Sequence, residues 1–305
     1  MRFTLKQLQY FVATGETGSI KLASERLNIS QPSISSAISH LERDLGVQLF
    51  VRHHAQGLSL TSAGHRVLRE ARALLQQANG IYDVANETTN LVRGHLALGC
   101  FVTLAPMIVP ELCHRFQEKH AEVQVHPIEG DHEALMAQLR KVDLDVVLTY
   151  DLQIPDGVTF EALATLPPHV LVSADHPLAD RSSIALSELD GEPLILLDLP
   201  FSREYFLSIF YHEGLSPKIH ARSRQQEVVR TMVANGYGYT LANVRPRNLT
   251  TLDGRRLKQI PLEGEHRPMK IGLATLTQER KPRLLQAFEE DCRSMITDGG
   301  IPGMQ

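Results

Sequence analysis

Short polar side chains follow a helical spacing between residues 31 and 41. Ile34, Ile38 and Leu41 recur at intervals of four and three, which places one apolar stripe against a core. The opposite stripe carries small hydroxyls and an amide, which can reach base edges when a helix lies in the major groove of DNA. We therefore predict a DNA-contacting face formed by Gln31, Pro32, Ser33, Ser35, Ser36 and Ser39.

The residues before this face predict a helix–turn–helix. Leu22, Ala23 and Leu27 supply the apolar face of a first helix. A short turn then ends at Ser30, which can cap the second helix, and Pro32 fits the first turn, where a missing N–H has no cost. The same corner occurs in proteins that do not bind DNA, so a merely solvated polar face is the alternative.

A β-hairpin, or wing, is predicted after the second helix. Its first strand begins at Leu49, Gly57 turns the chain, and the second strand ends at Thr61. Arg52 lies on this wing, where it can contact a phosphate. We add Arg52 and Thr61 to the predicted DNA contacts.

These residues together resemble the LysR-type transcriptional regulators, from Leu5 to Gly64 and in the length and order of the later segments. Two positions depart from the family pattern: Leu22 stands where alanine is more usual, and Ser36 where several members carry arginine. The motif residues are Leu41, Glu42, Leu45, Gly46, Leu49, Phe50, Arg52, Leu60, Thr61, Ala63 and Gly64.

The resemblance implies a multidomain α and α/β protein. It implies an N-terminal winged helix–turn–helix (1–64), a linker helix (65–92) and a two-lobed, periplasmic-binding-protein-like effector domain (93–305). Lobe 1 would hold residues 93–166 and 270–305, and lobe 2 residues 167–269. The implied partners are double-stranded DNA, a small-molecule effector, RNA polymerase and further copies of the chain in a homodimer or homotetramer. No cofactor is implied.

The linker segment carries a seven-residue repeat. Such a repeat favours pairing with another helix, and a dimer would place two helix–turn–helix units on two half-sites. A helix packed on its own domain is the alternative. The predicted helix covers residues 61–92, and its two seams are Val67, Leu74, Ile81 and Thr88, and Ala71, Ala78, Ala85 and Val92.

Composition and charge fit this organisation. A chain of 305 residues suggests two or three domains, and three widely spaced cysteines fit reduced thiols in a cytoplasmic protein. We find no membrane-spanning run and no export signal. Residues 1–95 hold ten Lys and Arg against seven Asp and Glu, whereas the remainder holds twenty-one against twenty-eight. Positive charge is thus concentrated where DNA binding is predicted.

From Gly94 onward, strands and helices alternate, which predicts a mostly parallel sheet. Breaks at 166–168 and 267–268 divide this region into two lobes. A helix at 282–296 is expected to return to the first lobe, and residues 297–305 are expected to be disordered. Asn243 departs from a proline that is common in the family.

A ligand in such a fold binds between the lobes, at the carboxyl ends of the strands. Our hypothesis is a small carboxylate or similar anion held by Thr103, Ser202 and one arginine among Arg203, Arg224 and Arg245. Helix capping is the alternative for the hydroxyls, and a solvated surface for the arginines. The predicted effector contacts are Phe101, Val102, Thr103, Gly130, Asp131, Tyr150, Pro200, Phe201, Ser202, Arg224 and Gln225.

The sequence gives less support to other functions, such as an enzyme, a solute-binding protein, a metal-binding protein or a redox sensor. The sequence has no phosphate loop and no nucleophile elbow, so we predict no catalytic residues and no enzyme. A plain solute-binding protein does not explain residues 1–64. Cys113, His114 and His120 are interpreted as a partly buried thiol and surface histidines rather than a metal site. Redox sensing through Cys100 would need a partner thiol close by.

Overall fold

The computed structural model describes residues 3–53, 57–85, 91–278 and 281–304, and the side chains of residues 52, 53, 76 and 79–85 lie outside this description. The chain forms two compact units, Met1–Leu91 and Val92–Gln305. The predicted fold class, a helix–turn–helix followed by a two-lobed α/β domain, is confirmed.

The first unit contains three helices, a hairpin and a long helix. Asn28 takes a left-handed conformation (φ 56°) at the end of the second helix, which makes the predicted turn tight enough to start the third. Ser30 caps that third helix through a hydrogen bond from the Ser33 N–H. The elements are α1 (Leu5–Thr17), α2 (Ile20–Leu27), α3 (Gln31–Leu45), β1 (Phe50–His53), β2 (Gly57–Leu60) and α4 (Ser62–Ala85).

The core of the first unit lies among α1, α3 and the hairpin. The rings of Phe11 and Phe50 meet edge to face, with centroids 5.5 Å apart, and Ile34 and Leu41 are fully buried. The prediction that Leu22 belongs to the apolar face of α2 is wrong, because its side chain is 50% exposed while the neighbouring Ala23 is buried. An eight-residue helix buries only a narrow stripe.

Helix α4 packs first on its own unit. Leu68 and Ala71 are buried in the core of the first unit, and Leu74 packs against it. This part of the repeat therefore follows the alternative interpretation, a helix packed on its own domain. The predicted extension to Val92 is wrong at its end, because Val92 is non-helical and belongs to the core of the second unit. Thr88 lies outside the described residues.

The first lobe of the second unit is a mixed sheet. β3 lies parallel to both β4 and β5, and β12 enters antiparallel between β5 and β6. The strand order is β4-β3-β5-β12-β6, so four strands run in one direction, as the prediction of a mostly parallel sheet requires, and β12 is the reversed strand. The elements are β3 (Gly94–Phe101), α5 (Ala105–Lys119), β4 (Val123–Gly130), α6 (His132–Arg140), β5 (Val146–Tyr150) and β6 (Val158–Leu166).

The second lobe follows the same plan. β7 lies antiparallel between β10 and β11, and a bridge from Leu194 to Tyr239 connects this group to the parallel pair β8 and β9. Its elements are β7 (His169–Ser173), β8 (Pro193–Leu197), α7 (Ser202–His212), β9 (Lys218–Ser223), α8 (Gln226–Ala234), β10 (Thr240–Ala242) and β11 (Leu257–Pro261). The chain then returns to lobe 1 as β12 (Met269–Leu276) and α9 (Arg283–Met295).

The C-terminal segment 297–304 is ordered, so the prediction of disorder is wrong. Ile301 and Met304 are buried. The Arg247 N–H donates to the Gly303 carbonyl over 3.1 Å, and Arg247 Nε donates to the Met304 carbonyl over 2.9 Å. The Thr165 N–H in lobe 1 donates to Asp298 over 2.6 Å. Hydrogen bonds thus join the tail to both lobes, and two of its apolar side chains are buried.

Candidate nucleic-acid interface and effector cleft

The predicted DNA face of α3 lies on the surface of the first unit. Gln31, Pro32, Ser33, Ser36 and Ser39 are exposed, Ser35 is half-buried, and the opposite face is buried. Among these residues, Ser33 shares a 2.8 Å hydroxyl contact with Ser30. The face therefore presents hydroxyls and one amide to solvent, where a DNA edge can replace water.

The hairpin is fixed to the end of α3 by one carboxylate. Glu42 Oε1 accepts hydrogen bonds from the N–H groups of Leu49 (2.7 Å) and Phe50 (3.2 Å). A Cβ on Gly64 would lie 2.1 Å from the Leu49 carbonyl oxygen, so only glycine allows α4 to pass this close to the hairpin. This explains why Glu42, Leu49 and Gly64 occur together in the motif.

Two further predicted DNA contacts, Arg52 and Thr61, lie outside α3, on the hairpin and directly after it. The Thr61 hydroxyl donates to the Gln48 carbonyl (2.7 Å) and accepts from the Gly64 N–H (2.8 Å), so it caps α4. Arg52 pairs with Leu58 across the hairpin, but its side chain lies outside the described part of the chain.

A cavity with about 460 Å³ of empty space opens between the two lobes of the second unit. On the lobe 1 side, the hydroxyls of Thr103 and Tyr150 lie 3.2 Å apart, and the ring of Phe101 packs edge to face on Tyr150. Ser202 contributes a buried hydroxyl from the start of α7. Burial raises the pKa of Tyr150, so the phenol is a neutral hydrogen-bonding group.

The remaining wall is mostly apolar and comes largely from lobe 2. Its four polar side chains are Gln226 and Arg230 on α8, Thr240 in β10, and Asn243 directly after β10. The wall is completed by Leu171, Leu197, Phe206, Gln226, Val229, Arg230, Thr240, Leu241, Ala242, Asn243, Val244 and Met269.

The structure brings together four of the predicted effector residues, Phe101, Thr103, Tyr150 and Ser202. The other predicted residues do not line the cavity. Gln225 is exposed and lies one position before the lining residue Gln226. Those outside the lining are Val102, Gly130, Asp131, Pro200, Phe201, Arg224 and Gln225.

Several of these outer residues connect the lobes at the rim of the cleft. Arg224 Nη2 donates to Asp131 Oδ2 over 2.7 Å, and Asp131 Oδ1 also caps α6. The ring of Phe201 lies 5.6 Å from that of His132, and Phe201 holds a left-handed φ of 64°. The Val102 N–H donates to the Gly130 carbonyl.

None of the three arginines proposed from sequence lines the cavity; Arg230 does. Arg203 pairs with Asp198 over 2.7 Å, and Arg224 pairs with Asp131. Arg245 is half-buried and also lies outside the lining. Gln226, Val229, Arg230 and Val233 follow the i, i+3, i+4, i+7 spacing of a buried stripe, so an arginine within an apolar helix face was the missed signal.

Arg230 is 5% exposed. Its Nε donates to Glu227 Oε2 and its Nη2 to the Asn248 carbonyl, both over 3.0 Å. Nη1 is buried and has no acceptor among the described residues. A guanidinium keeps its charge in proteins, so this residue of the cavity lining is a permanent cation with one buried donor that has no acceptor among the described residues.

Cys100 and Cys292 are buried, Cys113 is half-buried, and the pKa of each thiol is raised. Burial and the nearby Glu129 raise the pKa of Cys100, burial raises the pKa of Cys113 to about 11, and Cys292 is buried with a raised pKa. Within the described ranges, no group of three or more His, Cys, Asp or Glu side chains is arranged to hold a metal ion. No helix in that same part of the chain has the length and apolar character needed to cross a membrane.

Comparison with known proteins identifies the family. The family model described as "LysR substrate binding domain" matches residues 89–296, and the model "Bacterial regulatory helix-turn-helix protein, lysR family" matches residues 5–65. The chain belongs to the LysR family of transcriptional regulators. It is a regulator with a helix–turn–helix DNA-binding domain and an effector-binding domain, and its relatives are not enzymes.

Three relatives illustrate the match. The crystal structure of HinK, a LysR family regulator from Pseudomonas aeruginosa, is 34% identical, with a TM-score of 0.66 over 97% of this chain and 99% of that one. The regulator YvbU of Bacillus subtilis is 32% identical over 69% of this chain and 71% of its own length. The "Hydrogen peroxide-inducible genes activator" of Dickeya chrysanthemi is 28% identical over 78% of each chain.

Proposed function

We propose that this regulator responds to a small carboxylate or similar anion bound between the two lobes. The single observation that carries the proposal is Arg230, a buried cation on the wall of the cleft with one unsatisfied donor. A buried donor without an acceptor is destabilising by about 1–3 kcal/mol, more for a charged group. An anionic ligand removes that penalty when it binds.

The surroundings of Arg230 favour an anion over a neutral ligand. Glu227 is the one carboxylate paired with Arg230 among the described residues, and its side chain is 39% exposed, so water screens its charge. Thr103 and Ser202 add buried hydroxyls that can donate to a carboxylate oxygen. The apolar wall would contact the rest of the ligand, as is usual for small-molecule sites.

Control of DNA binding follows if the ligand prefers one arrangement of the lobes. An effector shifts an equilibrium only by its difference in affinity for the two states. We propose that the chain acts as a dimer or tetramer, in which paired linker helices position two copies of α3 on DNA, and that RNA polymerase is the downstream partner. Gln31, Ser33, Ser35, Ser36 and Ser39 would then contact base edges.

Isothermal titration of the full chain with benzoate, phenylacetate, 4-methylpentanoate and succinate tests the ligand class. We expect at least one acid to bind, and Arg230→Met to weaken its binding by at least tenfold. Thr103→Ala combined with Ser202→Ala should also weaken it. Arg203→Met is the matched control, because that arginine lies outside the cavity. The proposal fails if no acid binds, or if affinity survives both Arg230→Met and the double substitution.

Peroxide sensing is a second function suggested by the name of the Dickeya relative. A sensor thiol must be ionised and accessible. Burial keeps Cys100 and Cys292 protonated, and the pKa of Cys113 is raised to about 11. The thiols of this chain therefore favour a ligand-controlled regulator.

A further inference from the structure

Asn243 lines the same cavity, and it is the second lining residue with a buried polar atom that has no partner among the described residues. Its side chain is 3% exposed, immediately after β10. Among the residues that the structure describes, none donates a hydrogen bond to Asn243 Oδ1. Arg230 thus leaves a donor without an acceptor, and Asn243 leaves an acceptor without a donor.

The neighbours of Asn243 fix which way its amide points. Nδ2 donates to the Leu166 carbonyl over 2.7 Å and to the Tyr205 hydroxyl oxygen over 3.2 Å. The Tyr205 hydroxyl donates its own hydrogen to the Arg267 carbonyl over 2.6 Å, so its oxygen can only accept from Asn243. A flipped amide would set Oδ1 against the Leu166 carbonyl, acceptor against acceptor.

The state of Tyr205 supports the same orientation. Burial raises the pKa of Tyr205 to about 12, so the phenol keeps the hydrogen that it donates to Arg267. Both amide hydrogens of Asn243 are therefore engaged, and Oδ1 remains the free acceptor.

We propose that Asn243 recognises a hydrogen-bond donor on the inducer, which is therefore an acid that also carries a hydroxyl or amino group. This inference rests on the proposed function, in which Arg230 holds the acid group. The ligand class is then an apolar-bodied hydroxy or amino acid. A site with a buried acceptor discriminates against the analogue that lacks the donor, because binding that analogue leaves the acceptor unpaired.

The position of Asn243 also connects ligand binding to the hinge. Leu166 ends β6 at one crossing between the lobes, and Arg267 lies just before β12 at the other. Asn243 reaches the first directly and the second through Tyr205. A donor placed on Oδ1 would therefore bind at the residue that links both crossings.

Matched pairs of acids test the inference without altering the protein. Phenylacetate is compared with mandelate, 3-phenylpropanoate with 3-phenyllactate, and 4-methylpentanoate with leucine and 2-hydroxy-4-methylpentanoate, by isothermal titration of the full chain. We expect at least one hydroxy or amino acid to bind at least tenfold more tightly than its parent. In Asn243→Leu this preference should fall below about twofold.

Asn235→Leu is the control, because it makes the same substitution at an exposed asparagine that lies outside the cavity lining. The preference should persist in this variant. If the parent acids bind and no hydroxy or amino acid binds more tightly, the inference about Asn243 is wrong while the anion site stands. If no acid of either series binds, the proposed function itself fails. The comparison of matched acids on the wild-type protein tests the inference even if Asn243→Leu does not fold.

Discussion

The polar face of α3 and the polar wall of the cleft use similar groups in opposite environments. On α3, the amide of Gln31 and the hydroxyl of Ser39 are exposed, and water satisfies them. In the cleft, Arg230 and Asn243 are buried, and each has one polar atom without a partner in the part of the chain that the structure describes. Exposed polar groups have little effect on stability, whereas unpaired buried groups are destabilising. The two regions therefore differ in burial: the polar groups of α3 face solvent, whereas those of Arg230 and Asn243 lie inside the second unit.

The largest expected effect is a loss of DNA affinity, with little change in stability, when polar residues of α3 are replaced. Gln31→Ala combined with Ser35→Ala should weaken operator binding by roughly 2–4 kcal/mol, because two base-edge contacts are lost. The free energy of unfolding should change by less than about 0.5 kcal/mol, as is usual for surface sites. Fluorescence anisotropy at a fixed salt concentration measures the affinity for the DNA upstream of the protein's own gene, and urea unfolding measures the stability. Gln9→Ala, an exposed amide on α1, is the control. Unchanged operator affinity in the double variant would contradict the assignment of this face.

The second prediction examines a buried polar group away from the cavity wall. Burial and the nearby Arg245 lower the pKa of His169 to about 3. In the unfolded chain this histidine has a pKa of about 6.5. Below that pH the unfolded chain therefore binds a proton at His169, whereas the folded chain does not. The stabilisation is therefore complete above about pH 6.5 and is lost as the pH falls toward 3. Between pH 7 and pH 5 His169 should lower the free energy of unfolding by about 2 kcal/mol.

Urea unfolding at several pH values measures this slope. His169→Leu should have a flatter pH dependence than the wild type, and the exposed His114→Leu should behave like the wild type. Parallel slopes for wild type and His169→Leu would show that His169 titrates as freely as a surface histidine.

The third prediction concerns the buried C-terminal segment. Gly303 has a left-handed φ of 71°, and a Cβ there would lie 2.8 Å from Cβ and 2.9 Å from the carbonyl oxygen of Met107. Gly303→Ala should lower the free energy of unfolding by about 1–2 kcal/mol through strain and displacement of the tail. Gly299→Ala is the matched control, because a Cβ there has only Thr297 Oγ1 within 4 Å, at 3.8 Å. Equal midpoints in thermal unfolding would mean that the tail does not contribute to stability.

The smallest effect is expected at the rim of the cleft. The Asp131–Arg224 pair is short, but the Arg224 side chain is 66% exposed. Asp131→Asn keeps the helix cap, and this variant or Arg224→Gln should lower stability by less than about 1 kcal/mol. A double-mutant cycle by urea unfolding measures the coupling. A coupling energy well above 1 kcal/mol would show that the Asp131–Arg224 pair stabilises the protein as a buried ion pair does, and not as an exposed pair does.

The same contrast explains what the sequence could predict. The face of α3 is set by local helical periodicity, so Ile34 and Ile38 were enough to locate it. Thr103 and Ser202 were correctly placed beside a cleft, because strand ends meet at one edge of a sheet. The sequence did not place Arg230 and Asn243 in the same cavity lining, because their burial depends on how α8 and β10 pack on neighbouring strands and on the lobe crossing. The order of the tail likewise depends on contacts with Arg247 and Thr165, more than 50 residues away in sequence.

The most direct test of the account is a structure of the full chain with the acid that binds most tightly in solution. We predict that its acid group lies about 3 Å from Arg230 Nη1. We also predict a hydroxyl or amino group of the ligand within hydrogen-bonding distance of Asn243 Oδ1. An acid bound outside the cavity, or held at the rim by Arg203 or Arg224 with Arg230 Nη1 still unpaired, would contradict the account.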